Sequence, residues 1–307
     1  MEEPRVLIIV NKWWEVDPLL FCLLSDYARP VGQLGWPVLH DHPRPRRNPA
    51  SPGVPAPAVP RAIFELSSAC VEIWCISDIL EHLPDEPRWQ SSTERKAERL
   101  ADVFASPKPS LVIAVGTAAS GNQSSRNGSV VLGTKCFLHN SKPHGLNPHS
   151  DWQAGPFGSI LGSSLAEEDF LTLTNLETPL RPRASIRLFS PPLYPAPQLQ
   201  IMADYDAVAC ANLNVSDYND YAVTDGETLE DFAKESGNAL LGSLETTHGL
   251  IRALGPDRFM YVSGIVDRLI HFDDDVAPRP YAQNTIGAHN AGIVISWLLP
   301  RLSRISL

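Results

Sequence analysis

Long apolar runs are missing from this 307-residue sequence. The longest, such as residues 6–10 and 292–299, fall far short of the roughly 20 residues that a membrane-spanning helix requires. The opening Met1-Glu2-Glu3-Pro4 lacks the basic segment and small-residue cleavage site of a secretory leader, so a cytoplasmic setting is expected. Positive charge is scarce too. With 25 Lys and Arg against 35 Asp and Glu the net charge is −10, and no basic cluster on an expected helix offsets it. Such a surface repels phosphate backbones, which excludes nucleic-acid polymers as partners and leaves a small, locally recognised substrate open. The five cysteines (Cys22, Cys70, Cys75, Cys136, Cys210) are odd in number and form no C-x-x-C pair, so they read as reduced core residues. Absent also are a G-x-S-x-G elbow, a P-loop and a G-x-G-x-x-G after a strand, which removes serine hydrolases, NTPases and dinucleotide oxidoreductases. His40, Asp41 and His42, and His144 and His149, sit in Pro-rich loops without ligand spacing, so neither metal nor cofactor is expected.

What is present is a globular composition, 43% apolar with a mean hydropathy of −0.11. The run Val6-Leu7-Ile8-Ile9-Val10 has the continuous β-branched character of a strand buried on both faces. Similar runs recur at residues 71–76, 111–115, 130–138, 207–211 and 259–266. Between them, a Ser-Ser-Thr start and apolar Ala97, Leu100, Val103 and Phe104 on one face predict a helix over 93–105. A second helix is expected over 244–254, stopped by Gly255-Pro256. A third, over 286–300, is too apolar for a surface helix and should pack on the sheet. The alternation predicts an α/β fold, a three-layer αβα sandwich with a mixed twisted central sheet, forming one domain over 1–307. Seven prolines within 43–60 mark an inserted loop, because such a stretch can join neither sheet nor helix. The irregular segment 140–162 is a candidate cover for a site.

Three constellations carry chemistry. Strand 111–115 runs into Gly116-Thr117-Ala118-Ala119, read as a turn whose small residues let a ligand approach the backbone at the carboxyl end of a strand, or else simply a tightly packed turn. In Gly242-Ser243-Leu244-Glu245-Thr246-Thr247-His248-Gly249 a carboxylate stands at an expected helix start, where capping is the ordinary role. Finally, the run over 259–266 ends on Asp267-Arg268. Burial there favours a proton-carrying acid, and the plain alternatives are an ion pair with Arg268 or a helix cap.

In order and spacing these residues resemble the nucleoside phosphorylase and nucleosidase superfamily, in particular its methylthioadenosine nucleosidase-like branch. The first strand and acidic helix start are matched by 6–10 and by Asn11-Lys12-Trp13-Trp14-Glu15-Val16-Asp17. The Gly-Ser/Thr-Ala-Gly turn is matched by Gly116-Thr117-Ala118-Ala119, with Asn127-Gly128-Ser129-Val130-Val131 opening the next strand. The Met-Glu pair is matched by Leu244-Glu245, and the Ile-Ser-Asp strand end by Ile265-Val266-Asp267. The resemblance implies cleavage of an N-glycosidic bond in a purine-type or 5′-modified nucleoside. Asp267 would protonate the leaving base, while Glu245 with Leu244 would hold the ribose. Glu15, or alternatively Asp17, would activate water, and Gly116, Thr117 and Ala118 would line the anomeric carbon and its nucleophile. The family's base-pocket segment is matched by Asp217, Tyr218 and Asn219, where Asn219 replaces the stacking aromatic. Ala114 stands where phosphorylases of the superfamily carry a phosphate-binding Arg, which favours water over phosphate. The alternatives are a phosphorylase, and a nucleoside-binding module with little turnover. The resemblance also implies a homo-oligomer, a dimer or hexamer, with Trp13, Trp14 and the Pro-rich loop as contact candidates.

Overall fold

The computed structural model describes residues 3–24, 60–66, 68–79, 93–105, 107–120, 128–138, 159–174, 199–201, 242–245, 247–268 and 281–307. The Pro-rich segment 43–59, His40 to His42, His144, His149, the strand expected over 207–211, Cys210 and the trio Asp217, Tyr218 and Asn219 lie outside the described residues.

The chain runs β1 (Arg5–Val10), α1 (Trp13–Leu24), β2 (Ala62–Leu66), β3 (Ala69–Cys75), α2 (Ile76–Ile79), α3 (Thr93–Ala105) and β4 (Leu111–Ser120). There follow β5 (Val130–Gly133), β6 (Cys136–Leu138), β7 (Ser159–Leu161), α4 (Glu167–Thr174), β8 (Leu199–Ile201) and β9 (Ser243–Leu244). The chain ends in α5 (His248–Ala253), β10 (Phe259–Arg268), α6 (Tyr281–Leu298) and a 3-10 turn over Leu299–Arg304. The main sheet has the order β2-β3-β1-β4-β10-β5-β8, with β9 added to the end of β4. β3, β1, β4 and β10 are mutually parallel, while β2 and β5 run antiparallel to their neighbours, so the sheet is mixed as expected.

Alternation along β1 explains the layers. Val6, Ile8 and Val10 face α1 and α6, joining Leu19, Leu23, Val294, Ile295 and Leu298 in one core. Leu7 and Ile9 face the other way, against Leu100 and Val103 of α3 and Ile251 of α5. With both faces covered, β1 has no room for a polar side chain between Val6 and Val10, as its sequence foretells. α3 spans the range expected of it, and α6 begins five residues earlier than expected and is buried along its length from Gly287 to Ser296.

Three expectations are corrected. Gly116, Thr117 and Ala118 are not a turn but continue β4, because β10 pairs with them through Ser263, Gly264 and Ile265. The run over 130–138 is two strands in two different sheets, broken at Thr134 and Lys135. The helix expected from Leu244 starts only at His248, since β4 outruns β1 and its bare edge at Ala119 and Ser120 captures Leu244 and Ser243 as β9.

β10 and α6 approach at two glycines. A Cβ on Gly264 would lie 2.1 Å from the carbonyl oxygen of Gly287, so the helix can sit this close to the strand only without a side chain there. Gly264→Ala is therefore expected to cost at least about 3 kcal/mol in urea unfolding, the upper range of core overpacking. Gly162→Ala, where a Cβ meets nothing within 4 Å, should stay within about 0.5 kcal/mol of wild type.

Candidate active site

From β1 the chain moves to β3 on one side and to β4 on the other, so the carboxyl ends of β1 and β4 flank a topological switch point. Open α/β sheets bind ligands there, because the connections diverge and leave a crevice. Asn11, Glu15, Gly116 and Thr117 all belong to this point, and β9 and β10 bring Glu245 and Asp267 to it.

Glu15 is the third residue of α1. Its Oε2 reaches back to the N–H of Lys12 at 2.8 Å, the carboxylate half of a capping box. Its Oε1 crosses to β4 and accepts from both the N–H and the Oγ1 of Thr117, each at 2.7 Å. The helix-start role and the contact to the small-residue strand therefore coexist in one side chain. Burial, reinforced by repulsion from Glu245 and only partly offset by the Thr117 and Lys12 donors, pushes its carboxyl up to about 7. Asp17, the alternative, is exposed two positions on.

Glu245 follows β9 directly. Its Oε1 accepts from Asn11 Nδ2 at 2.6 Å. Oε2 accepts from Thr247 N–H at 2.6 Å, Thr247 Oγ1 at 2.7 Å and His248 N–H at 2.9 Å. Burial works against its charge, but His248 and the Thr247 donors prevail and hold the carboxyl below the ordinary range. Gly116 makes room for it: a Cβ there would stand 3.2 Å from Glu245 Oε1. Glu15 and Glu245 thus lie over consecutive residues of one strand, one poised near neutrality and the other ionised. Pairs whose environments push them apart in this way are a frequent basis for acid and base roles.

Asp267 is buried and pairs across the sheet with Ala119, which pairs on its other edge with Leu244. A register shift between Ile265 and Asp267 leaves Val266 as the extra residue of a bulge. Bulges re-aim the side chains beside them. Asp267 is set two residues along β4 from Thr117, about 7 Å at the usual rise. Glu15, Gly116 with Thr117, Glu245 and Asp267 are brought together by these bonds and pairings, and the 217–219 segment lies outside the described residues. Ala114, by contrast, lies in the apolar core on the α3 side. Arg61, at the same end of the sheet, is held by an ion pair with Asp78.

Sequence reasoning missed Asn11 and gave no role to Thr247 or His248. The available signal was placement: an amide just after the first strand, and short donors two and three positions beyond a buried Glu. Among the described residues no three His, Cys, Asp or Glu side chains cluster as a metal site would need. Cys22, Cys75 and Cys136 are buried thiols and Cys70 is half-buried. No described helix is long and apolar enough to cross a membrane.

The two carboxylates make a stability prediction. The folded chain holds the Glu15 proton more tightly than the unfolded chain does. Its contribution to stability is therefore complete below pH 4.5 and is lost as pH rises through about 7. Relative to Glu15→Gln, wild type should lose about 2 to 3 kcal/mol between pH 5 and pH 8 in paired denaturant titrations. A pH-independent difference would show that Glu15 is ionised throughout.

No protein-family model matches the chain, and no curated protein matches its sequence. Solved structures do match. The 5′-methylthioadenosine/S-adenosylhomocysteine nucleosidase of Neisseria meningitidis, solved with methylthio-immucillin-A, has a TM-score of 0.53 at 11% identity over 96% of this chain and 98% of its own. The corresponding nucleosidase of Colwellia psychrerythraea, solved with adenine, scores 0.52 at 9% identity over 98% and 96%. The futalosine hydrolase of Helicobacter pylori scores 0.52 at 9% identity over 98% of each chain. Identity this low speaks to the fold alone: over nearly its whole length the chain shares the architecture of these solved nucleosidases and hydrolase.

Proposed function

We propose that the chain is a nucleosidase that hydrolyses the N-glycosidic bond of a purine-type, or 5′-modified purine-type, nucleoside. The observation that carries this reading is the convergence of Glu15 and Glu245 on Gly116 and Thr117, with Asp267 two residues along the same strand. The shared fold of nucleosidases solved with adenine and with a nucleoside analogue supports it.

Each residue type suits a step. Rupture of the bond to C1′ leaves an electron pair on the base and positive charge on the ribosyl ring. Asp267 gives its proton to the departing base, as a general acid within reach must. Ionised Glu245 accepts a hydrogen bond from the sugar hydroxyls and favours the positive ring, an interaction worth more in a dry site than in water. Glu15, in its ionised form, takes a proton from the water that adds to C1′. Products are free base and ribose, and the proton Asp267 gave is replaced by the one Glu15 received once both exchange with solvent. Water rather than phosphate is favoured by Arg61, a cation at this end of the sheet, being already engaged with Asp78.

The test is a panel of purine nucleosides, with and without a 5′ thioether, incubated in phosphate-free buffer and analysed for free base. Release without phosphate is expected. A strict requirement for phosphate, with ribose 1-phosphate as product, would overturn the hydrolytic reading.

A further inference from the structure

Behind Glu245 stands a buried polar chain that the proposed chemistry leaves unused. Ser243 on β9, Ser263 on β10 and His248 at the start of α5 are all fully buried. Ser243 Oγ donates to Ser263 Oγ at 3.0 Å, Ser263 Oγ lies 3.4 Å from His248 Nδ1, and His248 Nε2 lies 3.7 Å from Glu245 Oε2. The ring is stacked on Tyr261 with centroids 5.3 Å apart and planes at 28°.

We propose that Ser243, Ser263 and His248 form a relay that fixes the Nε2–H tautomer of His248 toward Glu245, making His248 a positioning residue for the carboxylate that receives the sugar. The inference rests on the sugar-binding role proposed for Glu245.

Hydrogen counting supports the relay. Ser263 receives the Ser243 hydrogen, so its own single hydrogen is left for Nδ1. A neutral imidazole accepting at Nδ1 carries its proton on Nε2. The opposite end selects the same tautomer, since the alternative would set a ring lone pair against a carboxylate oxygen. Burial works against a charge on the ring despite the pull of Glu245, and in the neutral ring the group facing the carboxylate is an oriented N–H dipole. At 3.7 Å it is too long for a hydrogen bond in the resting protein, but catalytic contacts often tighten only when substrate is bound. Tyr261 stacking fixes the plane in which that N–H points, and His248 N–H ties the same residue's backbone to Oε2.

Two measurements test this. Imidazole ¹⁵N shifts of wild type at pH 7, with His248 assigned by comparison with His248→Gln, should show a neutral Nε2–H ring, and Ser263→Ala should relax that preference. A neutral Nδ1–H ring, or a protonated one, would overturn the relay. Second, His248→Phe keeps the stack but removes the N–H, and should lower kcat/KM for a riboside about tenfold, the scale of coupling between contacting groups. On the 2′,3′-dideoxy analogue, which offers Glu245 no hydroxyl, the loss should stay within about twofold, and His248→Gln, whose amide N–H falls near Nε2, should recover most of the riboside activity. Equal losses on both sugars would reduce His248 to a packing residue and refute the positioning role. If wild type released no base from any nucleoside, the sugar role of Glu245 would fall and the positioning claim with it, while the ¹⁵N shifts would still decide the relay.

Discussion

Asp267→Asn is expected to lower kcat for release of a purine base by about 10² to 10⁴-fold, the range a positioned general acid usually contributes, while leaving the unfolding midpoint nearly unchanged. Asn keeps the shape and much of the hydrogen bonding of the side chain at the β10 bulge but has no transferable proton. The loss should be selective. A nitrophenyl riboside, whose leaving group departs without protonation, should be affected far less than a purine nucleoside. Equal loss on both substrates would return Asp267 to a structural role at the end of β10, opposite Ala119.

Glu15→Gln is the second large effect. It should cost a comparable factor of about 10² to 10⁴ in kcat, because the amide cannot accept a proton from water. Its signature lies in the pH profile. A base acts in its ionised form, and the Glu15 carboxyl sits at about 7, so wild-type kcat/KM should carry a limb that rises through that pH. In the Gln variant this limb should vanish from the residual activity. Asp17→Asn, at an exposed position on the same helix, should leave both rate and profile as in wild type. A limb that persists in Glu15→Gln would belong to another group.

How much of this could be read from the sequence follows from what fixes each element. β1 and α3 were legible because their own residues dictate them: a five-residue apolar β-branched run in the first case, a capped amphipathic helix in the second. β9 and the last five residues of β4 were not, because their conformation is set by partners. Small residues after Val115 have the composition of a turn, and only pairing with β10 on one edge and β9 on the other keeps them extended. The same pairing changes the meaning of Gly116. Its lack of a side chain serves the approach of Glu245 rather than a sharp reversal of the chain.

At the site, the acids were visible as isolated carboxylates at element ends, and order along the chain suggested their grouping. Choosing Glu15 over Asp17 needed geometry, since two acids two positions apart point to different sides of a helix: one is buried against Thr117, the other faces solvent. The donors that tune Glu245 were harder still. Asn11 is 234 positions away in sequence, and nothing local to either residue announces the contact.

The most direct test of the central claim is a single turnover of a purine nucleoside in ¹⁸O-labelled water without phosphate, with the sugar reduced at once by borohydride to lock its C1 oxygen before exchange. Hydrolysis at the Glu15, Glu245 and Asp267 cluster predicts free, unlabelled base and a ribitol carrying one ¹⁸O at C1 in each turnover. Absence of base release, or sugar recovered only as a phosphate ester when phosphate is supplied, would contradict it.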